Sequence, residues 1–180
     1  MRQALLATIA LLTLAGAASA AEVKHIGPPM GMIAQAVVVP PGSTTMYISG
    51  MTATPTNAGA PRGTPPTYGD TEAQTISILT KMQDLLKGEN MTMGDVVMMR
   101  VYMAPDPAKD NKIDFAGMNT AFKTFFGTTE QPNKPARVTF QVGNLVGKSF
   151  IEIEAQAAKA PGPMKKVMKK TTTTTTTTKK

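Results

Sequence analysis

An α+β fold, with two helices on one face of a mixed sheet, is predicted by three observations. Residues 135–142 and 150–157 alternate apolar and polar side chains with a period of two, as half-buried strands do. Residues 71–88 and 114–126 carry apolar side chains at three- and four-residue spacing, as amphipathic helices do. Between the helices, 96–103 is apolar on both sides except for Arg100, the pattern of a central strand. With two earlier strands the order is ββαβαββ, and right-handed crossovers place both helices on the same side of the sheet. The other face is left uncovered, which predicts that copies of the chain bury it against one another.

Each element has a local reason. Met1-Arg2-Gln3, the apolar run at 4–18 and Ala18-Ser19-Ala20 form the charged start, apolar middle and small-residue cleavage site of a secretory signal peptide. The expected product begins at Ala21 and is periplasmic or secreted. No segment has the length and apolarity of a membrane span. Residues 33–39 and 45–51 read as strands joined through Pro40-Pro41-Gly42-Ser43, a loose hairpin. Residues 54–69 are rich in Pro and Gly and read as a loop.

Thr71-Glu72-Ala73-Gln74 has the form of a capping box, and Ala73, Ile76, Leu79, Met82, Leu85 and Leu86 mark the buried face of the helix that follows. Gly88 stands where a left-handed end is expected. The second helix should bury Phe115, Met118, Phe122, Phe125 and Phe126, with Gly127 as its stop. Gly143-Asn144 and Gly147-Lys148 make an antiparallel hairpin the simplest link between 135–142 and 150–157. Arg137, Thr139 and Gln141 would then share a face with Glu152, Glu154 and Gln156.

The formal charge of +7 belongs to the ends of the chain. Arg2 and the six lysines at 165, 166, 169, 170, 179 and 180 account for seven of the 19 basic residues, leaving 12 against 12 acidic ones in the middle. A neutral domain of residues 21–160 gives no footprint for a nucleic acid. The Lys/Thr-rich tail at 161–180 is of low complexity, and disorder is expected there. With no cysteine and a single histidine, His25, placed near the mature terminus, thiol, Ser-His-Asp and multi-histidine metal chemistry are excluded. No metal or cofactor is implied. His25 itself reads as a flexible surface position.

Two patterns admit more than one meaning. Arg137 with Glu154 fits either a cross-strand ion pair or a binding site. The 14 methionines, among them the pairs Met30/Met32, Met91/Met93 and Met98/Met99, fit either core filling or a thioether site for Cu(I).

The motifs Tyr47-Ile48-Ser49-Gly50, Leu85-Leu86-Lys87-Gly88, Met93-Gly94-Asp95-Val96-Val97, Arg100-Val101-Tyr102, Phe115-Ala116-Gly117-Met118-Asn119, Pro135-Ala136-Arg137 and Ile151-Glu152-Ile153-Glu154-Ala155 occur in order over about residues 31–158. In this the chain resembles the RidA/YjgF family of reactive-intermediate deaminases. The resemblance implies a chorismate-mutase-like α+β fold with a mixed six-stranded sheet, assembled as a homotrimer with a cleft at each interface. It implies hydrolysis of 2-imino acids to 2-keto acids and ammonia, with no cofactor. Arg137 would clamp the substrate carboxylate and Glu154 would position water, while Ser49, Gly50, Asn119 and Thr139 would line the cleft.

The chain departs from the family where Gly31-Met32-Ile33-Ala34-Gln35 replaces the usual Gly-Pro-Tyr pattern, so Ile33 stands in the place of a tyrosine. The alternatives to catalysis are a carboxylate-binding or chaperone-like family member and a methionine-based copper protein.

Overall fold

The computed structural model describes residues 21–162, so the expected signal peptide and all but the first two residues of the expected tail lie outside the described residues. The strands are β1 (Lys24–Ile26), β2 (Ala36–Val38), β3 (Thr44–Thr52), β4 (Val96–Met103), β5 (Ala136–Gln141) and β6 (Ile151–Lys159). The helices are α1 (Thr71–Gly88) and α2 (Phe115–Phe125).

The expected six-stranded sheet is a four-stranded mixed sheet, ordered β3-β6-β4-β5, plus a separate two-stranded ribbon of β1 and β2. β4 and β5 run parallel, joined by the α2 crossover, while β6 is antiparallel to both of its neighbours. Neither expected hairpin forms. β2 pairs with β1, which the sequence reading missed, and beside it Ala34 bridges to Ala136 of β5. β6 leaves β5 and inserts between β3 and β4. Burial explains the choice: Ile151, Ile153, Ala155 and Ala157 of β6 are all at most 3% exposed, and a strand with that much apolar surface belongs in the middle of a sheet. β5 has no fully buried residue and takes the edge.

Helix α1 begins one residue earlier than the expected capping box. Asp70 is the N-cap, its Oδ1 accepting from the Ala73 amide at 2.9 Å. Gln74 is buried instead. Its Nε2 donates to the Gly69 carbonyl, and its Oε1 accepts from Ser149 Oγ at 3.0 Å and the Phe150 amide at 2.9 Å, tying α1 to the start of β6. The left-handed residue after α1 is Asn90, at φ 56°, and not Gly88. The buried face is also rotated: Ile78 is fully buried, whereas Ile76 and Leu85 are 40% and 41% exposed. Asp114 caps α2 through the Gly117 amide at 3.0 Å.

One core joins Ile78, Leu79, Met82 and Leu86 of α1 and Met118 and Phe122 of α2 to Ile48, Met99, Val101, Met103, Ile151 and Ile153 of the sheet. Both helices therefore cover one sheet face, as expected. Met91 and Met93 belong to this core at 4% and 3% exposure, so this pair fills space and is not free for a metal. On the opposite face Tyr47 is 77% exposed, and the Tyr102 and Phe140 rings stack with centroids 6.0 Å apart.

Candidate functional site

Register decides where each expected site residue points. Arg137 is level with the core residue Met99, and Thr139 with Val101, so both face the helices. Val138 and Phe140, the apolar positions of β5, face the uncovered side beside Arg100 and Tyr102. The edge strand is thus inverted relative to the usual apolar-in pattern. Glu152 and Glu154 are level with Tyr102 and Arg100 on the uncovered side. The expected grouping of Arg137 with the two glutamates on one face is therefore incorrect within a protomer, because β5 is never paired with β6.

The Arg137 half is built on α2. The guanidinium lies 4.4 Å above the Phe122 ring and 5.9 Å from that of Phe115. Its Nη2 donates to Asn119 Oδ1 at 2.8 Å and its Nη1 to Met118 Sδ at 3.5 Å. Phe115, expected to be buried, is 45% exposed at this position. Among the described residues the ion pairs are Arg100–Glu154 and Lys109–Asp114, so Arg137 has no carboxylate partner. Burial pushes the guanidinium down from its usual value to about 10, which leaves it charged at neutral pH. A desolvated fork with spare donors and an apolar floor is suited to a carboxylate.

The Glu154 half is built on a β-bulge. Ile48 pairs with Ala155 and Met51 with Ile153, so Ser49 and Gly50 together oppose Glu154. On its other side Glu154 Oε1 accepts from Arg100 Nη1 at 3.0 Å. The ion pair considered for Glu154 with Arg137 is made with Arg100. A cavity of about 220 Å³ is lined by Tyr47, Ser49, Arg100, Glu154 and Gln156. Arg100 was not among the expected site residues, although a lone charge in an apolar central strand was the signal for it.

The structure therefore brings Arg137 together with Asn119 and Thr139, and Glu154 together with Ser49 and Gly50, but not one group with the other. His25 stands apart from both. It lies in β1, partly buried, with Nδ1–H donating to the Lys134 carbonyl at 2.7 Å, and is not the flexible terminal residue expected.

Two helices on one face of a mixed sheet, with an arginine under the second helix, define a YjgF-like α+β protein. The chain belongs to the Endoribonuclease L-PSP (Ribonuc_L-PSP) family, whose model matches residues 28–159; this is the RidA/YjgF family that the motifs resemble. It is 31% identical over 132 residues to a 2-iminobutanoate/2-iminopropanoate deaminase of Rattus norvegicus, covering 73% of this chain and 83% of that one. A Rid-family protein of unknown function, YyfB from Yersinia pestis, matches with a TM-score of 0.56 at 26% identity, covering 77% of this chain and 100% of that chain. E. coli TdcF, solved with bound serine, matches with a TM-score of 0.52 at 26% identity, over 75% and 91% of the two chains.

Proposed function

We propose that the protein hydrolyses 2-imino and enamine acids to 2-oxo acids and ammonia. Arg137 carries this reading: a charged guanidinium, partly desolvated, with no acidic partner among the described residues and with Asn119 and Phe122 fixing its plane. The substrate carboxylate takes two of its N–H donors. Glu154 then accepts a proton from a water whose oxygen attacks the C=N carbon. Glu154 passes that proton to the nitrogen, then takes the hydroxyl proton of the resulting carbinolamine and relays it to the amine, so that C=O forms as ammonia leaves, with no change of oxidation state and no covalent enzyme intermediate.

Because Arg137 and Glu154 face opposite sides of the sheet in one protomer, the reading requires assembly. The uncovered face of one copy meets the α2 edge of the next, giving a homotrimer with a cleft at each interface. The inverted strand β5, which offers Val138 and Phe140 to that face, supports this arrangement. Export of the chain, with cleavage before Ala21, completes the proposal.

The decisive measurement is 2-oxo acid release from an enzymatically generated 2-imino acid, in parallel with the mass of the particle in solution. The wild type, at three chains per particle, should accelerate release over buffer, and Arg137→Ala should not. A wild type without acceleration removes the deaminase reading. A carboxylate-binding protein without turnover is the second reading. It is favoured by Ile33, which brings no hydroxyl to the segment beside the Ala34–Ala136 bridge. Binding of a 2-oxo acid that is lost in Arg137→Ala, without acceleration by the wild type, would establish it.

A further inference from the structure

We infer that Arg100 is a positioning residue for the reaction, holding the Glu154 carboxylate so that one oxygen faces the substrate cleft; this rests on the deaminase reading above. Arg100 is the only charged side chain in β4, on a strand flanked by β6 and β5. The register sets it directly across from Glu154, and the contact is a single one, Nη1 to Oε1 at 3.0 Å.

Among the described residues Glu154 Oε2 makes no hydrogen bond, and neither do Nη2 and Nε of the guanidinium. From the opposite side the Ser49-Gly50 bulge breaks the β3 ladder level with the same carboxylate. Glu154 is therefore held on one oxygen by an arginine whose backbone is fixed in an interior strand. Its other oxygen is left to the cavity that Tyr47, Ser49 and Gln156 line. A base that must hold a water at one angle gains from such a grip, since small misplacement of a reacting group lowers the rate steeply. The ion pair thus falls at the strand position that the bulge opposes.

Steady-state kinetics on the assembled protein test this. Arg100→Ala should lower kcat about tenfold with KM changed less than about twofold, the pattern of an interaction made only in the transition state. Arg100→Gln, which keeps the length and a polar head, should show the same loss, and it carries the comparison if the alanine variant fails to assemble. In a Glu154→Gln background Arg100→Ala should add no further loss. Full kcat in either Arg100 variant, or losses that multiply in the double variant, overturns the inference. A wild type that does not turn over 2-imino acids removes the deaminase reading and this inference together. An active wild type with an unaffected Arg100→Ala removes this inference alone.

Discussion

Arg137 and Arg100 sit on neighbouring strands, one register step apart and on opposite faces of the same sheet, and their surroundings are opposite in kind. Arg137 lies among Met118, Asn119, Phe115 and Phe122, with no carboxylate partner among the described residues, and burial pushes it down to about 10. Arg100 is about one-third exposed and paired with Glu154. An exposed pair of this kind contributes roughly 0.2–1 kcal/mol and is self-sufficient. A partly buried, unpaired cation costs stability and is not. The difference separates the arginine proposed to bind a ligand from the one that pairs with a neighbour.

The comparison breaks most directly at Arg137. Arg137→Met keeps an unbranched chain over the Phe122 ring and removes the unmatched charge. It should abolish 2-oxo acid formation while raising the thermal midpoint, by about 1 kcal/mol of stability. A midpoint that falls by several degrees would show that the guanidinium contributes more through its aromatic and Asn119 contacts than its desolvation costs.

Proton linkage sharpens the same point at intermediate size. Arg137 binds its proton less tightly folded than unfolded, so below about pH 10 both states are protonated and the group adds no slope to stability. Above that value the folded state loses the proton first, and this group's contribution makes stability rise with pH up to its unfolded value. Affinity for a 2-oxo acid, followed by calorimetry, should accordingly be flat from roughly pH 7 to 9 and weaken through about 10 as the clamp loses its charge. A steep change near neutrality would assign the binding to another group.

The smallest effect is expected on the Glu154 side. A Cβ at Gly50 would lie 2.1 Å from Glu152 Oε1, the mobile end of a side chain that can move aside. Gly50→Ala should therefore cost only about 1 kcal/mol in a denaturant titration, and Gly50→Ala with Glu152→Ala should recover most of it. No recovery in the pair would mean that the bulge itself, and not the Glu152 contact, requires glycine.

Local pattern carried the elements well. The expected strand at 96–103 is β4 as found, and the expected helix at 114–126 differs from α2 only by its caps. Within a strand, alternation also sorted residues correctly into two sets: Arg137 with Thr139, and Glu152 with Glu154. Which set faces inward was not legible. Apolar alternation in β5 pointed Val138 and Phe140 to the core, yet they face the uncovered side, because β5 is an edge strand whose inner face is roofed by α2. Gln74 likewise looked like a capping partner, and it was tertiary contact with Ser149 and Phe150 that drew it inward.

The sequence by itself determined both helices and every strand but β1, the two faces of β4, β5 and β6, the family, and the short set of residues able to do chemistry in a chain without cysteine. Only the tertiary structure decided that β6 separates β3 from β4, that Glu154 answers to Arg100, and that Arg137 lies under α2 without an acidic partner among the described residues. The reason is physical. Periodicity is set by bonds between near neighbours, whereas strand order is set by competition for buried area among segments far apart in the chain, and loop closure discriminates only weakly between those alternatives.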